Sequence, residues 1–184
     1  LDDDARRAIV RHYEATRTGD GAWGLHPESS PYLFTTALAY VSLRVLGLSP
    51  HAPLTSAARR WLRAQPDGVL GLPTWGKFWL ALIGLRDWSG VPPCPPELML
   101  LPRRLPLHPT RYYCHTRYIY LAMAYLCGRR FTADLGPVRD ELARELYGAP
   151  LGAIDFNASR DRVASSDLYV APGPALRLAR SVFL

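Results

Sequence analysis

Apolar residues recur every three or four positions along most of the chain, and glycine or proline residues separate the periodic segments. This pattern is typical of amphipathic helices joined by turns. It predicts seven helices, at residues 2–17, 31–46, 54–65, 74–86, 110–127, 135–147 and from Pro174 onward. No segment sustains the alternation of polar and apolar residues that marks a strand, so the predicted class is all-α, with antiparallel helical hairpins.

The ends of these predicted helices carry residues that cap helices. Residues 2–4 are aspartates. Carboxylates at a helix start accept hydrogen bonds from the free backbone amides and interact favourably with the helix dipole. Gly47 stands where the second helix would have its C-terminal cap. We expect Thr55 or Ser56 to cap the third helix, and Pro137 to lie in the first turn of the sixth.

The apolar stripes predict the buried face of each helix. The stripe of the first helix is Ala5, Ile9, Tyr13 and Thr16, and that of the second is Phe34, Leu38, Val41 and Val45. Trp61 and Leu62 supply the buried side of the third helix. The helix at 135–147 is amphipathic, with an outer face of Glu141, Arg144 and Glu145. Residues 74–86 are apolar nearly all round, which is typical of a helix buried in a larger assembly.

Two turns have similar sequences, and one connection is rich in proline. The stretches ATRTGDGAWG at 15–24 and RAQPDGVLG at 63–71 both end a helix, pass through Asp-Gly and place an apolar residue at the tip. Such a repeat suggests an array of helical hairpins. Residues 91–109 hold seven prolines, too many for a helix or strand, and are predicted to form an extended ordered loop or a linker.

Charge narrows the possible partners. The net charge is +6, but Lys77 is the only lysine and the arginines are scattered along the chain. Basic residues spread over amphipathic helices usually form a solvated face, so we expect no nucleic-acid partner. A mild attraction to anionic lipid surfaces fits the same charge.

The cysteines and the apolar runs bear on compartment and metal. Cys94, Cys114 and Cys127 cannot all pair within one chain and show no CxxC spacing, which indicates a reducing compartment and no structural zinc. The apolar run at 117–128 is too short to cross a bilayer, and residues 1–10 do not read as a secretory signal. We therefore expect an intracellular protein, cytoplasmic or peripheral to a membrane, with no metal and no cofactor.

Aromatic residues are the remaining candidates for chemistry, since the chain has no nucleotide-binding glycine loop, no G-x-S-x-G and no H-E-x-x-H. They cluster in two segments, and the members are Trp75, Phe78, Trp79 and Trp88 in one and Tyr112, Tyr113, His115, Tyr118, Tyr120 and Tyr125 in the other. Most such residues belong to a core. Alternatively, a few line an apolar cavity whose ring faces stabilise a cation.

The order of these segments resembles the oxidosqualene cyclases, the lanosterol-synthase branch of the triterpene cyclases. The stretch at 19–47, GDGAWGLHPESSPYLFTTALAYVSLRVLG, is similar to a QW-type turn and the helix after it. PTWGKFWLA, WSG, PELMLLP, HP and CHTRYIYLAMAY follow in the family's order, and then RDELARELYG and IDF. The resemblance implies that residues 1–184 form a single partial α/α-barrel domain, which includes the proline-rich loop at 91–109.

The resemblance also gives the tryptophan of the first turn a role. In the family, the QW turn ties one helix end to the next through a glutamine stacked on the tryptophan. Here Trp23 and Gly21 are in place, but Arg17 occupies the glutamine position. A guanidinium can stack on an indole, so a cation–π clamp is one expectation. Simple packing of Trp23 between helices is the other.

Three pocket residues are implied by the same resemblance. Trp75 is the tryptophan of the S-W-G-K-type motif and would flank the substrate. Tyr113 stands where the family usually has tryptophan before Cys-His, and it would form a smaller part of the wall. His115 would stabilise late ring cations in its neutral form, because an imidazolium would repel them.

The family's acid motif does not occur in this chain. Neither D-C-T-A nor D-x-D-D is present, so the resemblance implies a barrel that helps to cyclise oxidosqualene to a sterol-type product only together with the remaining barrel. We expect the chain alone to be inactive. The alternative is a non-catalytic helical toroid that binds an isoprenoid lipid or a partner protein.

Overall fold

The computed structural model describes residues 1–106, 108–168 and 173–174. These residues contain no strand, which confirms the all-α class. The helices are α1 (Asp3–Thr16), α2 (Leu33–Val45), α3 (Pro53–Ala64), α4 (Thr74–Leu82), α5 (Cys114–Arg129) and α6 (Val138–Tyr147). The helix predicted from Pro174 lies, beyond that residue, outside the described part of the chain.

Helix α2 is the centre of the core and packs against α3, α4 and α6. Its predicted stripe is only partly correct, because Val41 is buried, Phe34 and Leu38 are half-buried, and Val45 is exposed. The buried positions of α2 are Leu33, Thr36, Ala37, Ala39, Tyr40, Val41, Leu43 and Arg44. A helix covered by three neighbours buries more than one stripe, including polar residues that find partners.

The caps of α1 and α2 are as predicted. The Asp2 carboxylate accepts a hydrogen bond from the Ala5 amide at 2.7 Å. Gly47 has a φ of 93°, in the left-handed region that ends many helices, and its amide donates to the Arg44 carbonyl at 3.0 Å. Both caps could be predicted because they depend on residues within one turn of the helix end.

The predicted cap of α3 and the predicted end of α4 are wrong. Neither Thr55 nor Ser56 caps α3, which starts at Pro53; the Thr55 hydroxyl donates instead to the Ser49 and Ala52 carbonyls. Helix α4 ends at Leu82 and not at residue 86, because Gly84 adopts a φ of 72° and turns the chain. Pro53 suits the first position of α3, because proline lacks the backbone N–H that would be unpaired there.

The predicted outer face of α6 is wrong for Glu145, which is buried. Its carboxylate accepts hydrogen bonds from Arg44 Nε at 2.9 Å and from the Tyr40 hydroxyl at 2.7 Å. Burial alone would raise the pKa of Glu145, but the hydrogen bonds from Arg44 and Tyr40 outweigh it and hold that pKa below its ordinary value. Arg44 also binds Glu141 at 2.7 Å, so one buried guanidinium joins α2 to α6.

A small apolar cluster holds α4 against α5. Phe78, Ala81 and Val91 are buried, and Met123 and Leu126 pack against them from the second half of α5. The first half of α5 extends beyond this cluster, and Ala124 is the one fully buried residue of the helix. The proline-rich segment contains a 3-10 turn at Pro96–Leu100, and another at Pro109–Arg111 precedes α5.

Candidate functional site

Trp75 lies in the first turn of α4 and is 42% exposed. Its ring stacks on Trp79 with the centroids 6.5 Å apart and the planes at 21°, and it meets the edge of the buried Phe78 ring at 6.1 Å. Trp79 is also exposed. One side of α4 is therefore not covered by other described parts of this chain. The two indoles form one exposed aromatic surface on a rigid helix.

Two neighbours of Trp75 explain how α4 is held in place. A side chain at Gly76 would meet Leu72 at 3.0 Å and Phe34 at 3.2 Å, so glycine allows the close approach of α4 to α2. The Lys77 ammonium is buried and donates to the carbonyls of Arg160 and Arg162 at 2.7 and 2.6 Å. The Gly-Lys pair after Trp75 thus fixes the helix that carries the indole.

Tyr113 and His115 lie together at the start of α5. Their rings stack with the centroids 5.0 Å apart and the planes at 23°. Tyr113 is 71% exposed, and His115 is exposed too. Cys114 Sγ lies 3.2 Å from His115 Nδ1, although successive side chains on a helix normally diverge, because Cys114 is the first residue of α5 and keeps the freedom of a helix end.

The structure brings two of the three predicted pocket residues together. Within the described ranges, the ring contacts of Trp75 are with Phe78 and Trp79, and those of His115 are with Tyr113. The cluster of Phe78 with Met123 and Leu126 connects α4 to the second half of α5. Trp75 and the Tyr113-His115 pair are therefore exposed on two helices that share one apolar support.

The hydroxyl of Tyr120, five residues beyond His115 in α5, has a backbone partner. It donates a hydrogen bond to the Pro95 carbonyl. Burial, reinforced by the neighbouring Cys94, raises the pKa of Tyr120 to about 12, and burial raises the pKa of Cys94 to about 11. Both groups therefore stay protonated at neutral pH, and they fasten the proline-rich loop to α5.

The histidine and cysteine residues do not assemble a metal site in the part of the chain that the structure describes. His108 is buried, and its Nδ1 accepts a hydrogen bond from the Thr110 amide at 3.1 Å. It acts as a cap for the turn before α5. Separately, no helix among the described residues is long and apolar enough to span a bilayer.

The turn at 17–23 is built around Trp23. The indole is buried, donates from Nε1 to the Tyr13 carbonyl at 2.9 Å, and meets the edge of the Tyr13 ring at 5.6 Å. Gly21 has a φ of 84°, and a side chain there would come within 2.6 Å of the Ala57 β-carbon. Trp23 and Gly21 thus join the end of α1 to α2 and α3.

Arg17 does not form the clamp that we expected. It is exposed at the C-terminal cap of α1. The guanidinium groups placed over rings in the described residues are Arg86 over Phe156 and Arg117 over Tyr118. The carbonyl of Tyr13 satisfies the indole N–H, so Trp23 is held by packing and this hydrogen bond.

One important residue gave no local signal in the sequence. The Asp167 carboxylate accepts hydrogen bonds from the amides of Leu33 and Phe34 at 2.7 and 2.8 Å. It thus caps α2 although it lies more than 130 residues further along the chain. Tyr32, the residue before α2, has no side-chain cap of its own. A missing cap at the start of a strongly apolar helix is the only hint that a distant carboxylate is required.

The chain is similar in sequence to known proteins. A family model described as the squalene-hopene cyclase N-terminal domain matches residues 1–183. The lanosterol synthase of Pneumocystis carinii is 41% identical over 98% of this chain, which covers 25% of that protein. The lanosterol synthases of Saccharomyces cerevisiae and Homo sapiens are 41% and 40% identical over 89% and 94% of the chain. The chain spans about a quarter of the length of these relatives.

Proposed function

Because the chain belongs to the squalene-hopene cyclase N-terminal domain family, an all-α toroid-type domain, we propose that it forms part of an oxidosqualene cyclase. In this proposal it supplies one aromatic wall of the pocket in which oxidosqualene is cyclised to a sterol-type product. The acid that starts the reaction comes from the remaining barrel. We also propose a location inside the cell at a membrane surface.

Exposure of the aromatic residues that the resemblance singled out is the observation that supports this pocket. Trp75, Tyr113 and His115 present their rings to the outside, whereas Gly76 and Lys77 bind α4 firmly to the core. Residues that only stabilised this domain would be buried in it. Exposed rings on a fixed support suit a wall that a second barrel closes, where each ring face would stabilise a cation by about 0.5–2 kcal/mol.

Each ring has a separate role in this proposal. Trp75 flanks the hydrocarbon, and its stacking on Trp79 fixes the direction of the indole face. His115, in its neutral form, stabilises the late cations, since a charged imidazole would repel them. Tyr113 stacks on His115 and holds the plane of the imidazole.

A chimera tests the proposal. In yeast that lacks its own lanosterol synthase, this chain replaces the matching part of the S. cerevisiae enzyme, which is 41% identical. We expect a cyclic sterol precursor to form, as detected by gas chromatography and mass spectrometry. Trp75→Ala and His115→Ala should lower the yield by several-fold to about 30-fold, the loss of one desolvated ring contact. Tyr113→Trp should retain the product.

Tyr125→Ala is the matched control, because Tyr125 is an exposed tyrosine of α5 outside the predicted pocket. Its yield should equal that of the parent chimera. If the parent chimera is present at normal levels and makes no cyclic product, the proposed function is wrong. Yields that stay normal in both Trp75→Ala and His115→Ala would show that the pocket lies elsewhere.

A second candidate is a non-catalytic helical module that binds an isoprenoid lipid or a partner protein. The exposed rings of Trp75, Trp79 and Tyr113 are compatible with it, since contiguous apolar surface marks binding sites. Size-exclusion chromatography of the purified chain distinguishes this second function from the proposed cyclase domain. A monodisperse chain would favour the module, whereas aggregation would favour a domain that needs the rest of an enzyme.

A further inference from the structure

Two of the three cysteines line one cavity beside the second half of α5. The cavity has a volume of about 360 Å³, is partly open to solvent, and has Cys94 and Cys127 among its lining residues. Both of these cysteines are half-buried, whereas Cys114 is exposed at the opposite end of α5. The fold therefore brings together two thiols that are 33 positions apart in the sequence.

Contacts of the two cysteines place their side chains next to each other. Cys94 Sγ lies 3.8 Å from the Tyr120 carbonyl, and Tyr120 is seven positions before Cys127, on the same face of α5. The Cys94 backbone amide donates a hydrogen bond to the Cys127 thiol, which opposes the rise that burial causes in the pKa of Cys127. Burial raises the pKa of Cys94 to about 11, and the neighbouring Cys127 adds to this rise.

The two segments that carry these thiols are already held together. Prolines stand on both sides of Cys94 and restrict its backbone. The Tyr120 hydroxyl donates to the Pro95 carbonyl, and the 3-10 turn at Pro96–Leu100 packs on α5. A bond between the two sulfur atoms would thus close across an existing contact, as the strict geometry of a disulfide requires.

We propose that Cys94 and Cys127 are a reversible modification site, a thiol pair that a small disulfide such as glutathione disulfide oxidises to a disulfide bond. One thiolate attacks a sulfur of the small disulfide and releases one thiol, and the second thiolate then attacks the mixed disulfide and releases the other. The two protein thiols lose two electrons and two protons, which the small disulfide gains as it becomes two thiols. The bond ties the proline-rich segment to α5 when the surroundings are oxidising. The pair does not depend on the proposed cyclase function, because neither cysteine belongs to the predicted pocket.

The folded and the unfolded chain favour different pairings of the cysteines. In the folded chain Cys114 and Cys127 are separated by about 20 Å along α5, well beyond the roughly 7 Å that a disulfide allows between α-carbons. In an unfolded chain a shorter loop closes more readily. Cys114 and Cys127, 13 positions apart, should then pair about fourfold more often than Cys94 and Cys127. A Cys94–Cys127 bond is therefore a signature of the folded arrangement.

Oxidation of the purified chain by glutathione disulfide tests the pair, with the bonds identified by alkylation, digestion and mass spectrometry. The reaction is run at mildly alkaline pH, because burial raises both thiol pKa values and only a thiolate attacks a disulfide. We expect the Cys94–Cys127 bond to be at least about tenfold more abundant than any bond between Cys114 and another cysteine, and dithiothreitol to reverse it. In concentrated urea the preference should pass to Cys114–Cys127. The oxidised chain should unfold at a higher urea concentration than the reduced chain, because the bond restricts the unfolded state.

Cys114→Ser is the matched control, because it removes the exposed cysteine and should leave both the bond and the urea shift unchanged. Cys94→Ser and Cys127→Ser should each abolish both. Each variant is compared with its own reduced form, so a loss of stability caused by the substitution itself cancels.

Three results would overturn the proposal. The first is that Cys94 and Cys127 stay free, or carry only glutathione, after Cys114 has reacted fully. The second is that bonds of Cys114 predominate in the folded chain as they do in urea. The third is a Cys94–Cys127 bond that leaves the urea midpoint unchanged or lowers it, because such a bond would not tie two segments that pack together in the fold.

Discussion

Glu145 shows how a polar residue can be buried where helical periodicity places it outside. Periodicity describes one helix, and the partners of Glu145 are on another: Arg44 and Tyr40 of α2. Nothing local to α6 distinguishes this glutamate from Glu141, which is exposed. The capping residues Asp2 and Gly47 were predictable because their partners lie within a few positions along the chain.

Replacing the buried carboxylate should destabilise the fold strongly. Glu145→Gln leaves the Arg44 guanidinium buried without its main counter-charge, and breaking such a pair costs about 3–5 kcal/mol. Urea unfolding followed by circular dichroism measures the free energy of unfolding. Glu141→Gln is the control, because an exposed partner contributes only about 0–1 kcal/mol. Equal effects of the two variants would contradict a buried ion pair.

The same pair makes stability depend on acid pH. The folded protein holds the pKa of Glu145 below its ordinary value of 4.5, so the stabilisation is present above that value and is lost as pH falls through the lower, folded pKa. The parent chain should therefore lose stability faster than Glu145→Gln below pH 4.5. Parallel curves of unfolding free energy against pH for the two proteins would show that the folded pKa is not depressed.

At the scale of elements, turn chemistry determined which helix ends could be predicted. The predicted bounds agree with the structure to within about three residues, except at the end of α4 and the start of α5. Gly84 ends α4 early, and a 3-10 turn at Pro109–Arg111 delays α5 until Cys114. These two boundaries could not be predicted from hydrophobic periodicity, because periodicity does not report the backbone dihedral angles that glycine and proline adopt.

The cap of α2 by Asp167 yields a prediction at this scale. Asp167→Ala removes the acceptors of the Leu33 and Phe34 amides, and loss of an N-terminal cap costs about 0.5–2 kcal/mol. Hydrogen exchange should show less protection in the first turn of α2. Asp2→Ala is the control, since it uncaps α1 and should leave the Leu33 amide unchanged. Unaltered exchange at Leu33 in Asp167→Ala would contradict the long-range cap.

At the scale of the whole molecule, the motifs indicated the family, whereas the arrangement of the rings depends on the tertiary structure. Trp75, Tyr113 and His115 were singled out by their motifs, and the structure stacks Tyr113 on His115 and Trp75 on Trp79. Local sequence could not show that the rings would be exposed, because exposure depends on which helices cover them.

Exposure of Trp75 predicts that its roles in folding and in catalysis are separable. In the purified chain, Trp75→Ala should cost about 1–3 kcal/mol, as measured by urea unfolding, because 42% of this residue is already exposed and only the covered part loses contacts. Phe78→Ala, in the same helix but buried, should cost about 3–5 kcal/mol. In the chimera, Trp75→Ala should still reduce cyclic product without reducing the amount of folded enzyme. A large loss of stability in Trp75→Ala would instead make this tryptophan a core residue, and the aromatic wall would then lose its principal member.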